Sequence, residues 1–490
     1  MLLIINDTNF QIYNGKKMDE IVKQITEEKF NAYARLTILP IADYFCKQIC
    51  WFANKNEDIL GTIVFDFTDF SFNCILMGRD EIGKFRVFDI ATDFNTPNSA
   101  FLWIQSNIEK LTLAGKTIFP QGDNEKNKKI DLFEDVKPFE QQHPYYQLLK
   151  NNKFWNAAKK LIQEIMPHYT DIDGNFIEQF QTTGFDQRLW ELYLFNYFKE
   201  EKLEVIRNYN IPDFILRLGD KEIGVEAVTV SRKVDYYNTD SRFLSGKPIS
   251  IPKFPDEKML HNDMPLLWGS PLYSKLNHTI KANPKDELKV HYWELPQMQG
   301  KPFVLAVQDF HDDYCMTWSQ NSLIEYLYGY TYSSIYVDNE LKIIPNKITS
   351  FDKNGVEVPA GFFFQPFVEN ISAIIATPLG TLSKFNRLGK QAGFDKYNLM
   401  MVRMGCCHKN DKNANKPNFF QYTVTEKSKE TWAEGLSVFH NPNALHPLDP
   451  LFFPNAAHHY FKDGQIESHM PEFMPYNSYT MNFDFYEPIL

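Results

Sequence analysis

The stretch 211-IPDFILRLGDKEIGVEAV-228 decides how the rest of the chain is read. Two short apolar runs flank Gly219-Asp220, a pair that tolerates the positive φ angles of a two-residue hairpin loop. With that loop Leu218 faces Lys221, and the constant register of an antiparallel pair sets Asp213 directly against Glu226. Opposed residues share a face with Cβ atoms about 5 Å apart, and like charges so placed destabilise a sheet. A hard divalent cation such as Mg²⁺, which takes carboxylate oxygens and waters, is the economical compensation. The competing reading has Asp213 bending or capping the chain after Pro212 while Glu226 pairs with an arginine.

A third acid lies just upstream. Glu191 sits within 189-LWELYLFNYF-198, apolar on nearly every side, with Gln187 one turn earlier on the same face. Unpaired burial of such a charge is strongly unfavourable. An acid there, ahead of a two-carboxylate hairpin, points to a shared site rather than to a lone ion pair.

Working outward, 490 residues suit two or three domains, and 43% hydrophobic with 23% charged residues describes a folded chain with ample core. A net charge of -11 argues against indiscriminate binding to nucleic acid or anionic membrane. No run approaches the ~20 apolar residues of a membrane span, and 1-MLLIINDTNF-10 turns polar too early for a signal peptide. The six cysteines show no paired CxxC spacing, which fits free thiols in a reducing compartment. The expectation is a cytoplasmic chain with no membrane partner.

Residues 1–118 read as an N-terminal α+β accessory domain. Its helical segments are 18-MDEIVKQITEEKF-30 and 99-SAFLWIQSNIEKL-111. Its strands are 61-GTIVFDF-67, 72-FNCILM-77 and 84-KFRVFDI-90, with a polar turn over 78–83. Residues 119–150 read as a linker centred on 122-GDNEKNKK-129, 151–400 as an α/β domain, and 401–490 as a C-terminal extension packed on it. The α/β domain opens with helices 154-FWNAAKKLIQEIMP-167, stopped by Pro167, and 184-GFDQRLWELYLFNYFKEE-201. After the hairpin comes an insertion rich in Pro, Asp and Asn (231–268). A helix over 271-PLYSKLNHTIKA-282 with Pro271 in its first turn and a buried strand, 302-PFVLAVQDF-310, complete the unit. Helix, hairpin, helix, strand predicts a mixed sheet flanked by helices, one helix serving as the crossover between parallel strands.

A helix acid (Glu191), then "IPDF" with Asp213, "VEAV" with Glu226, a helix and a strand together resemble the PD-(D/E)XK nuclease superfamily over roughly residues 154–309. The segments "FDQRLWELYLF", "KPFVLAVQDFH", "GTLSKFNRLG" and "VFHNPNAL", with "ILGTIVFDFTDFSF" and "MGRDEIGKFRVFD" nearer the N-terminus, resemble a bacterial family built on that fold. The resemblance implies a restriction-endonuclease-like α/β fold and metal-dependent hydrolysis of phosphodiester bonds. It implies DNA rather than RNA as partner, in DNA processing or defence against foreign DNA. Mg²⁺ or Mn²⁺ would be held by Asp213 and Glu226, with Glu191 completing the shell or orienting a water.

The chain departs from that pattern at Val228, where a lysine is expected. Lys221 and Lys233 lie ~16 Å and ~23 Å away along an extended strand. Lys275 on the crossover helix is the candidate replacement, and Gln308 near the end of the next strand is another. The alternative is a catalytically degenerate module that binds nucleic acid or a partner protein, a role for which the N-terminal domain is also available.

From Lys384 to Lys416 the chain carries a net +6. A phosphate-contacting surface led by Lys384, Arg387, Lys390 and Arg403 is one reading, and a solvated basic loop is the other. His440, His446, His458 and His459 fit no zinc template and read as structural. A hydrolase built on that histidine segment is the weakest alternative.

Overall fold

The computed structural model describes residues 21–122, 131–231, 256–281, 289–312 and 315–484. Residues 18–20 of the first predicted helix, 123–130 of the predicted linker, 232–255 of the predicted insertion (Lys233 among them) and 282 of the predicted crossover helix lie outside the described residues.

The N-terminal unit is a five-stranded antiparallel sheet in sequential order. Its strands are β1 (Val22–Gln24), β2 (Cys46–Asn54), β3 (Ile59–Asp66), β4 (Phe72–Arg79) and β5 (Phe85–Phe94). Its two longer helices are α1 (Glu27–Ala34) and α2 (Pro97–Leu113). The predicted helix over 18–30 is corrected here. Val22–Gln24 pair with β2, and the helix begins only where the Thr26 hydroxyl accepts from the Lys29 amide. Thr96 caps α2 in the same way, and Pro97 occupies its first turn. The buried face of α2, Ala100, Phe101, Ile104 and Ile108, packs with Phe52, Ile63, Cys74 and Leu76 of the sheet. The opposite face of the sheet, with Ala53, Leu60, Met77 and Phe85, is continuous through Phe30 and Tyr33 of α1 with the main core.

The larger unit is a mixed α/β structure around an eight-stranded sheet, also in sequential order. Helices α3 (Asn156–Ile165) and α4 (Phe185–Glu200) precede strands β6 (Glu204–Ile206), β7 (Phe214–Leu218) and β8 (Lys221–Val230). Then come α5 (Met264–Leu276), β9 (Phe303–Asp309), α6 (Ser319–Tyr328), β10 (Ala373–Ala376) and α7 (Leu382–Gln391). Strands β11 (Ser437–His440), β12 (Ala457–Lys462) and β13 (Gln465–His469) complete the sheet. β6, β7 and β8 form an antiparallel meander, β8, β9 and β10 run parallel, and β11 is antiparallel to β10. Strand β6 went unread in the sequence; it turns the expected hairpin into three strands.

Period-two alternation divides the sheet between two cores. Val225, Ala227, Val304, Ala306, Ala373 and Ile375 face α3, α4 and α7. Val228, Val230, Leu305, Val307 and Ile374 face α5 and α6. On the first side, α7 lies close against α3, because a Cβ at Gly389 would stand 2.3 Å from the Ala157 carbonyl oxygen. On the second side the predicted position of the crossover helix is corrected. α5 starts before Pro271, which lies inside it, and Pro265 takes the first turn. Burial of Trp268, Leu272 and Leu276 offsets the backbone bond that an interior proline removes. Beyond Asn277 the chain leaves the helix and Ile280–Lys281 pair with Lys289–Val290.

Strand Met400–Cys407, flanked by Asn418–Thr423 and Tyr479–Phe483, forms a separate three-stranded sheet. Among the described residues no helix is long and apolar enough to cross a membrane.

Candidate active site

The hairpin sets the site. Its pairs run from Phe214 opposite Val225 to Leu218 opposite Lys221. Gly219 has φ 61°, the conformation that the two-residue turn requires. One step beyond the last ladder pair, Asp213 and Glu226 are joined reciprocally. The Asp213 amide donates to Glu226 Oε2 at 3.1 Å, and the Ala227 amide donates to Asp213 Oδ2 at 2.8 Å. Glu226 is buried and Asp213 half-buried. The cation that the pair calls for comes from α5: Lys275 Nζ lies 2.6 Å from Glu226 Oε1. The Tyr292 hydroxyl donates to the same oxygen at 3.0 Å.

These contacts shift the protonation equilibria in opposite directions. Burial, then the charges of Glu226 and Glu191, push the Asp213 carboxyl well above the ordinary range. Burial alone would pull the Lys275 ammonium down, but Glu226, Asp213 and Glu191 outweigh it and its pKa is raised. The Tyr292 phenol is pushed up by burial and by Glu226. Three carboxylates, Asp213, Glu226 and Glu191, thus act on one another and on Lys275 at this point of the sheet.

Glu191 departs from its expected role. It is buried, and its oxygens accept from Arg188 Nη1 at 2.8 and 3.0 Å, from the Tyr169 hydroxyl at 2.7 Å and from Gln187 Nε2 at 3.2 Å. An arginine three residues away and a tyrosine thus satisfy the carboxylate, and it does not complete a metal shell with Asp213 and Glu226. Among the described residues one group of three or more ligand atoms lies within 4.8 Å of one another, and it is Asp309, His311 and Cys315. Glu191 instead acts at a distance, through its charge on Asp213 and through Gln187. That side chain donates to the Ala227 carbonyl at 3.4 Å and accepts from the Thr229 hydroxyl at 3.1 Å, holding β8 to α4. Arg188 was missed in the sequence, although its spacing from Glu191 on one helix face was the signal.

Val228 shares the Glu226 face and is buried beneath α5. Gln308 does not replace the missing lysine. It pairs with Thr229 on the other face, and its amide donates to the Asp309 carbonyl at 3.2 Å. Lys221 is tied to Asp449 at the surface, 2.7 Å away. No family model, curated protein or solved structure matches this chain.

The basic stretch is corrected outright. The side chains of Lys384, Arg387 and Arg403 are 0%, 1% and 0% exposed. Arg387 grips Glu430 with two bonds of 2.7 Å, and Arg403 Nη1 reaches Glu434 at 2.8 Å. Lys384 donates to the carbonyls of Trp432 and Glu434, and Lys390 pairs with Asp395 at 2.7 Å. Burial pushes Lys384 down to about 8. Burial alone would raise Glu430, but Arg387, Arg403 and Lys384 hold it down to about 2. Lys384 and Arg387 tie 429-KETWAEG-435 to α7 from inside, Arg403 ties it to strand Met400–Cys407, and none of these three buried cations reaches a phosphate backbone. In the histidine segment, His440 Nε2 and His458 Nδ1 share a hydrogen bond of 2.9 Å, and His459 lies between Ser437 and Ser468. Burial holds His440 and His459 down to about 3.

Proposed function

We propose that the chain is a metal-dependent nuclease of restriction-endonuclease-like fold that hydrolyses phosphodiester bonds, with Asp213 and Glu226 holding Mg²⁺ or Mn²⁺. The observation that carries this reading is Lys275. An amine from the crossover helix stands 2.6 Å from the second acid, on the face where Val228 leaves the motif lysine missing. The order helix, meander, helix, parallel strand also fits the superfamily resemblance of residues 154–309.

The residues fit a hard divalent cation. Two neighbouring carboxylates offer only oxygen donors, and the charges of Glu226 and Glu191 around Asp213 are ones an ion would relieve. Bound there, the metal would lower the pKa of a water and stabilise charge on the scissile phosphate. Lys275, held by Glu226 and by Tyr292 at 3.5 Å, keeps a charged donor available to a phosphate oxygen. Tyr292 fixes the Glu226 carboxylate, and Gln187 fixes the strand that carries it. Substrate choice, DNA over RNA in processing or defence, follows the resemblance. The exposed apolar residues Leu39, Ile41, Tyr44 and Phe45 favour a protein partner on the N-terminal unit. Six free cysteines favour a cytoplasmic setting.

A second reading has its own support. The engagement of Glu191 by Arg188 favours a degenerate module that binds nucleic acid without cutting. Titration of Mg²⁺ and Mn²⁺ against plasmid and single-stranded substrates separates the two. Cleavage that needs metal and is lost in folded Asp213→Ala and Glu226→Ala is the expected result. Binding of nucleic acid without metal-dependent cleavage would establish the module instead.

A further inference from the structure

The end of β9 carries a cluster that the candidate active site does not use. Asp309 Oδ1 accepts from the His311 amide at 3.0 Å and lies 2.6 Å from His311 Nδ1. Ser319 Oγ donates to the other carboxylate oxygen at 2.7 Å, and Cys315 Sγ donates to the Asp309 carbonyl at 3.1 Å. One carboxylate oxygen, one imidazole nitrogen and one thiol sulfur thus converge within 4.8 Å. The turn-closing contacts account for Asp309. They do not account for His311 Nε2, which is buried without a hydrogen-bond partner among the described residues. Asp309 and Cys315 also form part of the wall of a cleft of about 470 Å³ that includes Phe185, Leu189, Phe310 and Met404.

We propose that Asp309, His311 and Cys315 form a transition-metal site, matched best by Zn²⁺, whose open fourth position faces this cleft. The donor types select the ion. Thiolate and imidazole suit a borderline-soft metal and are poor ligands for Mg²⁺, whereas a carboxylate serves either. Three protein ligands with one vacant position is the arrangement of zinc sites that take a water or a substrate atom. With metal–ligand bonds of ~2.0–2.3 Å the donors of a tetrahedral site stand roughly 3.3–3.8 Å apart. The three donors already lie within 4.8 Å of one another, so reaching these separations takes shifts of no more than roughly 1.5 Å. The Cys315 thiol would lose its proton to solvent as the metal–sulfur bond forms. The site is separate from the hairpin acids. Along β9 and β8, Asp309 pairs with Val230 and Leu305 with Glu226, four residues or ~13 Å apart. It therefore stands whether or not the chain cuts nucleic acid.

The test is metal stripping of the full chain followed by titration with Co²⁺ and then Zn²⁺. The expected result is one tight equivalent, with a near-ultraviolet thiolate-to-Co²⁺ absorption that Zn²⁺ abolishes. Cys315→Ser should remove that band. It and His311→Ala should each weaken Zn²⁺ by more than the roughly tenfold that disturbing a ligand's support costs. Cys406→Ser and His458→Ala should leave stoichiometry and band unchanged. No Zn²⁺ binding, a Co²⁺ complex lacking the thiolate band, or loss of binding in Cys406→Ser or His458→Ala would overturn the proposal. The Co²⁺ spectrum of the unaltered chain and the two control variants decide the matter even if Cys315→Ser does not fold.

Discussion

Replacing Arg387 by alanine separates a structural cation from a phosphate-binding one. The Arg387 and Glu430 side chains are 1% and 2% exposed, and removing one member of a buried ion pair typically destabilises by ~3–5 kcal/mol. Glu430 would keep Arg403 at 3.4 Å and Lys384 at 3.9 Å, which favours the lower end of that range. Arg387 Nη1 also donates to the Thr480 hydroxyl at 2.8 Å, tying α7 to the last strand and adding about 1 kcal/mol. The expected loss is therefore about 4 kcal/mol. The Glu430 carboxyl adds a pH signature of the whole cluster, because Arg387, Arg403 and Lys384 together hold it down. Its folded value is held down to about 2 against an ordinary 4.5, a depressed acid whose stabilisation is present above 4.5 and lost as pH falls toward 2. That difference corresponds to roughly 3 kcal/mol. Urea unfolding followed by tryptophan fluorescence measures the loss, and at an m-value of about 3 kcal/mol/M the midpoint falls by more than about 1 M. Arg387→Lys should recover part of it, since charge survives while the two-bond grip does not. A joint Arg387→Met and Glu430→Met exchange should recover most, because neither buried charge remains. An Arg387→Ala chain within ~0.5 kcal/mol of the parent, with weakened DNA binding, would refute the buried-cluster account and restore the surface reading.

Two further predictions concern groups whose protonation equilibria the fold has shifted. Lys275→Met removes the cation beside Glu226, so Mg²⁺ binding measured by calorimetry should tighten roughly tenfold. Cleavage should fall at least ~100-fold; weaker metal binding in this variant would count against Asp213 and Glu226 as ligands. Burial, then the neighbouring Glu200, pushes the Glu201 carboxyl up to about 7, so between pH 4.5 and 7 the folded chain holds a proton that the unfolded chain releases. Stability conferred by that group is full below 4.5 and lost as pH rises through 7. The parent should therefore lose roughly 3 kcal/mol across this window relative to Glu201→Gln, and parallel stability curves would show that Glu201 ionises normally.

How much could be read from the sequence depended on how far apart the deciding residues lie. The register that joins Asp213 to Glu226 was legible because a two-residue loop fixes every pair behind it, and Gly219-Asp220 leaves little choice of loop. Lys275 was legible at one remove, since a crossover helix must return over the strand it left. The cations of α7 were misread for the opposite reason. Lys384 and Arg387 are one turn apart, as Arg387 and Gln391 are, so they share a helix face. Local sequence shows that face as charged and hence suited to solvent. What buries it is Glu430 and Glu434, over forty residues away, and a net charge counted from Lys384 to Lys416 cannot contain them. Glu191 failed at shorter range. The same rule of three and four residues that placed Gln187 beside it also placed Arg188 there, and a carboxylate with an adjacent guanidinium does not need a metal. A buried charge in a sequence thus states only that compensation exists. Which group supplies it is decided by the nearest opposite charge that packing can deliver: for Glu191 that is Arg188, for Glu226 it is Lys275, and for Asp213 it is the ion proposed above.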